Sequence, residues 1–205
     1  MDISVYKYEG ADFNHSHDYI LPRFLSLLKE NLPNDSRIFE IGFGNGAVAN
    51  LLAKEEIEVI GIDPSREGVR QAQNNYPNIA LHQASTEDNL SELFGHFNLV
   101  YSLEVIEHVF DPYQFVLKIY EILNPGGVLI LSTPYHGYLK NLIIGIIGGW
   151  DKHFTALWPG GHIKFWSPKT ISFLLENQGF RVLKVERVGR FKYLAKSMIV
   201  VASKT

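Results

Sequence analysis

Cysteine is absent from the 205 residues. That excludes disulfides, thiolate metal sites and a cysteine nucleophile, and it leaves the redox compartment open. An excess of positive charge is missing too, since 19 basic and 22 acidic residues sum to −3. No global field draws the chain to nucleic acid or anionic lipid, although a local basic patch is compatible with that sum. The opening residues, MDISVYKYEG, lack a basic stretch followed by an apolar one, so no secretory signal is expected and a cytoplasmic location is. Repeats, low-complexity tracts and linkers are also missing. One domain over 1–205 is therefore expected, with a sizeable core from its 46% hydrophobic residues. The apolar run LIIGIIGGW at 142–150 falls well short of the roughly 20 residues that a membrane-spanning helix needs. A buried lid helix is the expectation there, and a segment in weak contact with a membrane interface is the alternative.

What is present is an alternation of short β-branched runs with longer amphipathic stretches. That pattern arises when crossover helices cover both faces of a parallel sheet, so the fold class is α/β. Strands are expected over 37–41, 58–62, 79–83, 97–102 and 128–132, and helices over 48–55, 65–74, 89–94 and 111–122. After Pro134 the rhythm breaks into a Gly-, His- and aromatic-rich insertion, 135–166. A helix over 168–177, stopped by Gly179, and two strands over 181–188 and 196–202 then suggest an antiparallel edge pair. A helix over 19–30 belongs to an N-terminal cap, 1–34, and is expected to cross the mouth of the sheet.

The segment RIFEIGFGNG joins the first strand to the first crossover helix through Gly42, Gly44 and Gly46. Missing Cβ atoms there let the backbone turn tightly and approach a ligand, with helix-terminal amides facing it. Asp63 closes the next strand, where a carboxylate can accept hydrogen bonds from both hydroxyls of a ribose. A nucleoside-containing cofactor is implied. Gly42-x-Gly44-x-x-Ala47 also satisfies the dinucleotide fingerprint, so an NAD-dependent oxidoreductase is a rival reading. Glu40, two residues before the first glycine, tilts the balance: it can hold a ligand ammonium group and would repel a pyrophosphate.

Together with these, Ser102-Leu-Glu104-Val-Ile-Glu107-His108 and Leu123-Asn-Pro-Gly-Gly127 before a strand follow in order. The whole resembles the class I S-adenosylmethionine-dependent methyltransferases over about residues 20–205. The resemblance implies a Rossmann-like, seven-stranded, mostly parallel sheet with an antiparallel last strand and helices on both faces. It implies S-adenosyl-L-methionine as cofactor, with Glu40 near the methionine ammonium and Gly42, Gly44 and Gly46 along methionine and ribose. Asp63 would take the ribose hydroxyls, Ser85 and Thr86 would meet adenine with Glu87 as a displaced acid, and Ser102 and Leu103 would offer carbonyls to the amino acid moiety.

Glu104, Glu107 and His108 stand at a spacing that places them on one face if a helix begins there. Two carboxylates and an imidazole suit a divalent metal as a partial ligand set, with His162 as the remaining candidate. This arrangement looks like the ubiquinone-pathway O-methyltransferases and like metal-assisted small-RNA 2′-O-methyltransferases. Without metal, His108 is the leading general base, with Glu107 beside it; His153 and Tyr135 are reserves.

The expected activity is methyl transfer to oxygen on a small, apolar or aromatic acceptor, with 135–166 as a substrate lid rich in residues such as Tyr138, Leu142, Ile146, Trp150 and Trp158. RNA methylation is the alternative, disfavoured by the charge balance. The basic residues Lys184, Arg187, Arg190, Lys192 and Lys196 are read as a solvated edge. A catalytically silent cofactor-binding or scaffold protein is a further alternative.

Overall fold

A computed structural model describes residues 15–32, 37–154, 156–191 and 193–205. The outer parts of the expected N-terminal cap, 1–14 and 33–34, lie outside the described residues, as do 35–36, Thr155 and Lys192. Seven strands form one sheet: β1 (Arg37–Ile41), β2 (Glu58–Asp63), β3 (Ala80–Gln83), β4 (Phe97–Leu103), β5 (Leu123–Pro134), β6 (Phe180–Val188) and β7 (Ser197–Lys204). Their order is β3-β2-β1-β4-β5-β7-β6. The first five run parallel, and β7 is antiparallel to both of its neighbours, β5 and β6. The expected closing pair therefore sits at the sheet edge, with the last strand inserted between β5 and the outermost strand. β5 starts earlier than expected: Leu123 already pairs with Phe97, and a register shift absorbs the turn residues before Val128 pairs with Leu99.

Two hydrophobic layers explain why the sheet is covered on both sides. On one face α4 (Leu90–Phe94), α5 (Pro112–Ile122) and α8 (Pro168–Asn177) pack, with Leu90, Phe115, Ile119 and Leu174 buried against Phe39, Val100 and Leu131. On the other α1 (His17–Asn31), α2 (Ala47–Ala53) and α3 (Arg66–Asn75) pack, with Phe24, Leu28, Leu52 and Ala72 buried beside Leu99, Tyr101 and Ile199. Each large side chain so buried adds about 1.5–3 kcal/mol of transfer free energy. Caps set the helix starts: Ser65 accepts from the Gly68 amide, Asp111 from those of Tyr113 and Gln114, and Ser167 and Thr170 form a reciprocal capping box.

Two expectations are overturned. The N-terminal helix does not lie across the mouth of the sheet. Its apolar stripe Ile20, Leu21, Phe24, Leu27 and Leu28 is buried with Leu99, Tyr101, Ile130 and Ile199 of the sheet, so α1 lies on the sheet face, held to β6 by Arg23 on Glu186 and Lys184 on Glu30. Nor is the apolar run 142–150 a buried helix. It falls on α6 (Tyr138–Ile146) and the start of α7 (Trp150–Phe154), neither of which buries a residue. Helices α1–α5 and α8 supply the residues that cover the two sheet faces, and α6 lies outside that core.

Candidate active site

The strand order reverses direction of growth at β1, with β2 on one side and β4 on the other, and open α/β sheets bind ligands at the carboxyl end of such a switch. Gly42, Gly44 and Gly46 leave β1 there, all with positive φ. A Cβ on Gly42 would come within 2.4 Å of Val105, so a side chain at that position would drive the loop away from the segment after β4. Asp63 ends β2 beside this loop. Its Oδ2 accepts from the Gly44 amide at 2.8 Å and its Oδ1 from the Ser65 amide at 2.8 Å. Each oxygen keeps a lone pair for a ligand hydroxyl. Burial pushes this carboxyl up to about 6 against the pull of the two amides.

Glu40 points from β1 into the same region. It is 2% exposed, and its Oε2 has no hydrogen-bond partner. Burial pushes its carboxyl up to about 8, with the Tyr101 hydroxyl drawing it down and the Asp63 charge adding a smaller rise. A buried carboxylate oxygen without a partner costs free energy that a ligand cation would recover. Ser102 and Leu103 end β4 next to β1, and the Ser102 hydroxyl is spent on the Ile41 carbonyl at 2.8 Å. Ser85 and Thr86 follow β3, half-buried. Asp88, not the exposed Glu87, closes that turn by accepting from the Ser85 amide at 2.8 Å.

Beyond β4 a short 3₁₀ turn, Ile106–His108, brings the second constellation together. The Glu107 carbonyl accepts from the amides of Ile163 at 2.9 Å and Lys164 at 3.0 Å, which staples the end of the insertion to this turn. His162 consequently lies 4.9 Å, ring to ring, from His108. His108 Nδ1 is 3.3 Å from the Gly161 carbonyl, and because a carbonyl can only accept, Nδ1 carries the proton. That leaves Nε2 with a free lone pair, 4.0 Å from Glu107 Oε1. Burial lowers the His108 pKa, so the imidazole is neutral at neutral pH. Glu107 is 1% exposed: its Oε2 accepts from the Thr133 hydroxyl at 3.1 Å, and its Oε1 has no partner. Burial, reinforced by Glu104, raises its carboxyl well above the usual range.

Glu107, His108 and His162 each offer a donor atom, all within 4.8 Å of one another, a spacing a divalent cation could bridge. Glu104 is not brought to this group. Its residue adopts φ 55, and its carboxylate turns away to accept from Ser132 at 2.8 Å and Ser197 at 3.0 Å. The 3₁₀ turn, rather than a full helix, breaks the spacing that would have put all three side chains on one face. The reserve residues separate as well. Tyr135 is buried in a bridge to Trp166 beneath the Arg187 guanidinium, and His153 packs on His136. His136 escaped sequence reasoning: it is 7% exposed, has an unpartnered Nδ1 and is walled by His153, Phe154 and Phe165. No local pattern signals it. Thr133 and Ser197 were equally invisible, because their partners are distant in sequence.

Residues 13–185 match the family model described as "Methyltransferase domain", and the chain belongs to that family. The human mitochondrial ubiquinone biosynthesis O-methyltransferase is 28% identical over 193 residues, covering 85% of this chain and 52% of that protein. The enzyme of the same name from Azorhizobium caulinodans is 28% identical over 154 residues, 71% of this chain and 59% of its own. The chain thus spans little more than half the length of these relatives. Among solved structures, magnesium protoporphyrin IX methyltransferase from Synechocystis with bound SAH superposes with TM-score 0.66 at 21% identity, covering 90% of this chain and 82% of that one. The [4+2]-cyclase SpnF also superposes with TM-score 0.66, at 16% identity, covering 89% and 80%. A cyclase and a methyltransferase fit equally well, so these superpositions report the fold.

Proposed function

We propose that this domain transfers a methyl group from S-adenosyl-L-methionine to an oxygen of a small apolar or aromatic acceptor. The observation that carries the proposal is the close approach of the two chain segments at Gly42, where a Cβ would fall 2.4 Å from the Val105 side chain: the glycine loop lies against the segment that leads into Glu107 and His108. The residues fit the cofactor: Glu40 Oε2 awaits a cation, and Asp63 has lone pairs for two hydroxyls. Bound there, the sulfonium supplies an activated methyl group. Support for oxygen as the nucleophile comes from the relatives named O-methyltransferases.

Within this reading Glu40 ionises against the ammonium, Asp63 holds the ribose, and Ser85, Thr86, Ser102 and Leu103 line the remainder of the cofactor. His108 Nε2 takes the acceptor proton while Nδ1 stays on the Gly161 carbonyl. Glu107 flanks the ring, its Oε1 4.0 Å from Nε2. Residues 135–166 serve as the acceptor lid, with Phe154, Phe165 and Trp158 as aromatic walls near His136, His108 and His162. In line placement of acceptor oxygen, methyl carbon and sulfur supplies much of the acceleration. Glu107, His108 and His162 could also hold a divalent cation, which would lower the pKa of a bound hydroxyl.

Isothermal titration with S-adenosylhomocysteine and with NADH is the primary test: binding of the former alone is expected, and binding of NADH alone would overturn the reading. Labelled methyl transfer to a panel of phenols, with and without EDTA, tests acceptor class and metal. Activity insensitive to EDTA, together with an active His162→Ala variant, would remove the metal while leaving the base in place.

A further inference from the structure

Lys140 has no part in the methyl-transfer steps, yet it stands at the root of the insertion, half-buried in the first turn of α6. Its ammonium donates to the Tyr135 carbonyl at 2.8 Å, and no acid lies within ion-pair distance of it among the described residues. An ammonium carries three protons, so two remain to donate. Burial, and then the Arg190 charge, draws the Lys140 pKa down to about 8. Glu104, the acid whose charge reaches it, already accepts from Ser132 and Ser197. The other groups around Lys140 supply no counter-charge. The start of α6 has Gly137 at its cap, no capping side chain and no acid in its first turn. His136, just before that cap, is 7% exposed, and its Nδ1 has no hydrogen-bond partner. Burial, and then the Lys140 charge, holds His136 at about 4, and the same two causes lower His153.

We propose that the acceptor is an acid, and that its carboxylate is held at the start of α6 by the Lys140 ammonium. The inference rests on the methyl-transfer reading and names the substrate class of that site. Helical side chains lean toward the N-terminus, so the bond to Tyr135 brings the ammonium back to the end of α6 where the backbone amides are uncapped. A neutral acceptor would leave that half-buried charge with one carbonyl partner. The distance to the base also fits. Tyr135, whose carbonyl holds Lys140, follows Thr133, whose hydroxyl donates to Glu107, by two residues of extended chain, about 7 Å. One substituted aromatic ring spans that gap, with a hydroxyl at His108 and a carboxylate at Lys140. The other anion on hand is the carboxylate of the cofactor. It shares a carbon with the ammonium assigned to Glu40, and β1, which bears Glu40, lies two strands from β5, about 10 Å away. The acceptor is therefore the occupant that reaches Lys140.

Calorimetric titration of the full chain saturated with S-adenosylhomocysteine tests it, with para-hydroxyphenylacetate and the uncharged para-hydroxyphenylacetamide as probes. The acid is expected to bind about tenfold more tightly than the amide, the worth of one charge-assisted hydrogen bond. Lys140→Gln should erase that preference, Lys140→Arg should keep it, and both should leave S-adenosylhomocysteine affinity unchanged. Lys140 is half-buried and makes a single hydrogen bond, so little change in melting temperature should accompany either substitution. The proposal is overturned if acid and amide bind alike, if neither binds the saturated protein, or if the two variants behave alike. It is equally overturned if Lys140→Gln weakens S-adenosylhomocysteine binding, which would give this cation to the cofactor. Titration of the unaltered protein with S-adenosylhomocysteine separates the two readings. Absence of that binding removes methyl transfer itself, whereas binding without a preference for the acid removes only the carboxylate site.

Discussion

Residues 37–83 and residues 135–166 border the same sheet edge on different terms. In the first, the contacts of the central carboxylate close within the segment: Asp63 takes the amides of Gly44 and Ser65, and β1, β2 and β3 pair in succession. In the second, placement comes from elsewhere: Tyr135 is tied to Lys196, and Ile163 and Lys164, just after His162, are tied to Glu107. On the proposed reading the first region holds a cofactor of constant shape, which a rigid, local segment can do. The second is pinned at its ends, and between those anchors α6 and α7 bury none of their side chains, which suits an element that meets varied acceptors.

The comparison can be broken most sharply at the junction of the two regions. His108→Ala is expected to lower kcat by about 10² to 10⁴ while S-adenosylhomocysteine affinity stays unchanged; a parallel loss of affinity would show that the two regions are not separable. Next in size is a contrast in stability. Ile119→Ala in α5 is expected to cost about 2–5 kcal/mol in denaturant unfolding, whereas Ile146→Ala in α6 should stay within about 0.5 kcal/mol. Equal costs would mean that α6 is part of the core.

Asp63→Ala should weaken S-adenosylhomocysteine binding by about 2–3 kcal/mol in calorimetry, the worth of charge-assisted hydrogen bonds, with acceptor KM little changed. The smallest effect concerns protons. Glu40, pushed up to about 8, and Glu104, pushed up to about 7, hold protons in the folded state that the unfolded chain has released. Stability is therefore lost as pH rises through this range. The histidines with lowered values act in the opposite sense only below about 6.5, their ordinary value, which leaves pH 6.5–8 as the clear window. Melting temperature should fall by a few degrees across it, and Glu40→Gln should flatten the slope. Ligand binding should strengthen over the same window, because the ammonium requires ionised Glu40.

The fold was legible because its signals are periodic and local. The expected strand 37–41 and helix 168–177 agree with β1 and α8 residue for residue, and the glycine loop and Asp63 occupy the carboxyl ends where α/β topology requires them. Glu104 shows where spacing misleads: a separation of three residues implies a shared face only in a helix, and a left-handed φ followed by a 3₁₀ turn sends it to Ser132 and Ser197 instead. α6 shows the same limit for burial. Its composition matches a core helix, but whether a core position is vacant depends on the other helices.

By itself, then, the sequence determined the α/β class and the glycine loop with its acidic neighbours at the strand ends, since these rest on periodicity and on contacts between residues near in the chain. Only the tertiary structure decided which nitrogen of His108 is free, that the Thr133 and Ser197 hydroxyls donate to Glu107 and Glu104, and that the most apolar stretch faces outward. Those features arise from bonds between residues far apart in sequence and from competition for a finite sheet surface, and neither leaves a trace in local pattern.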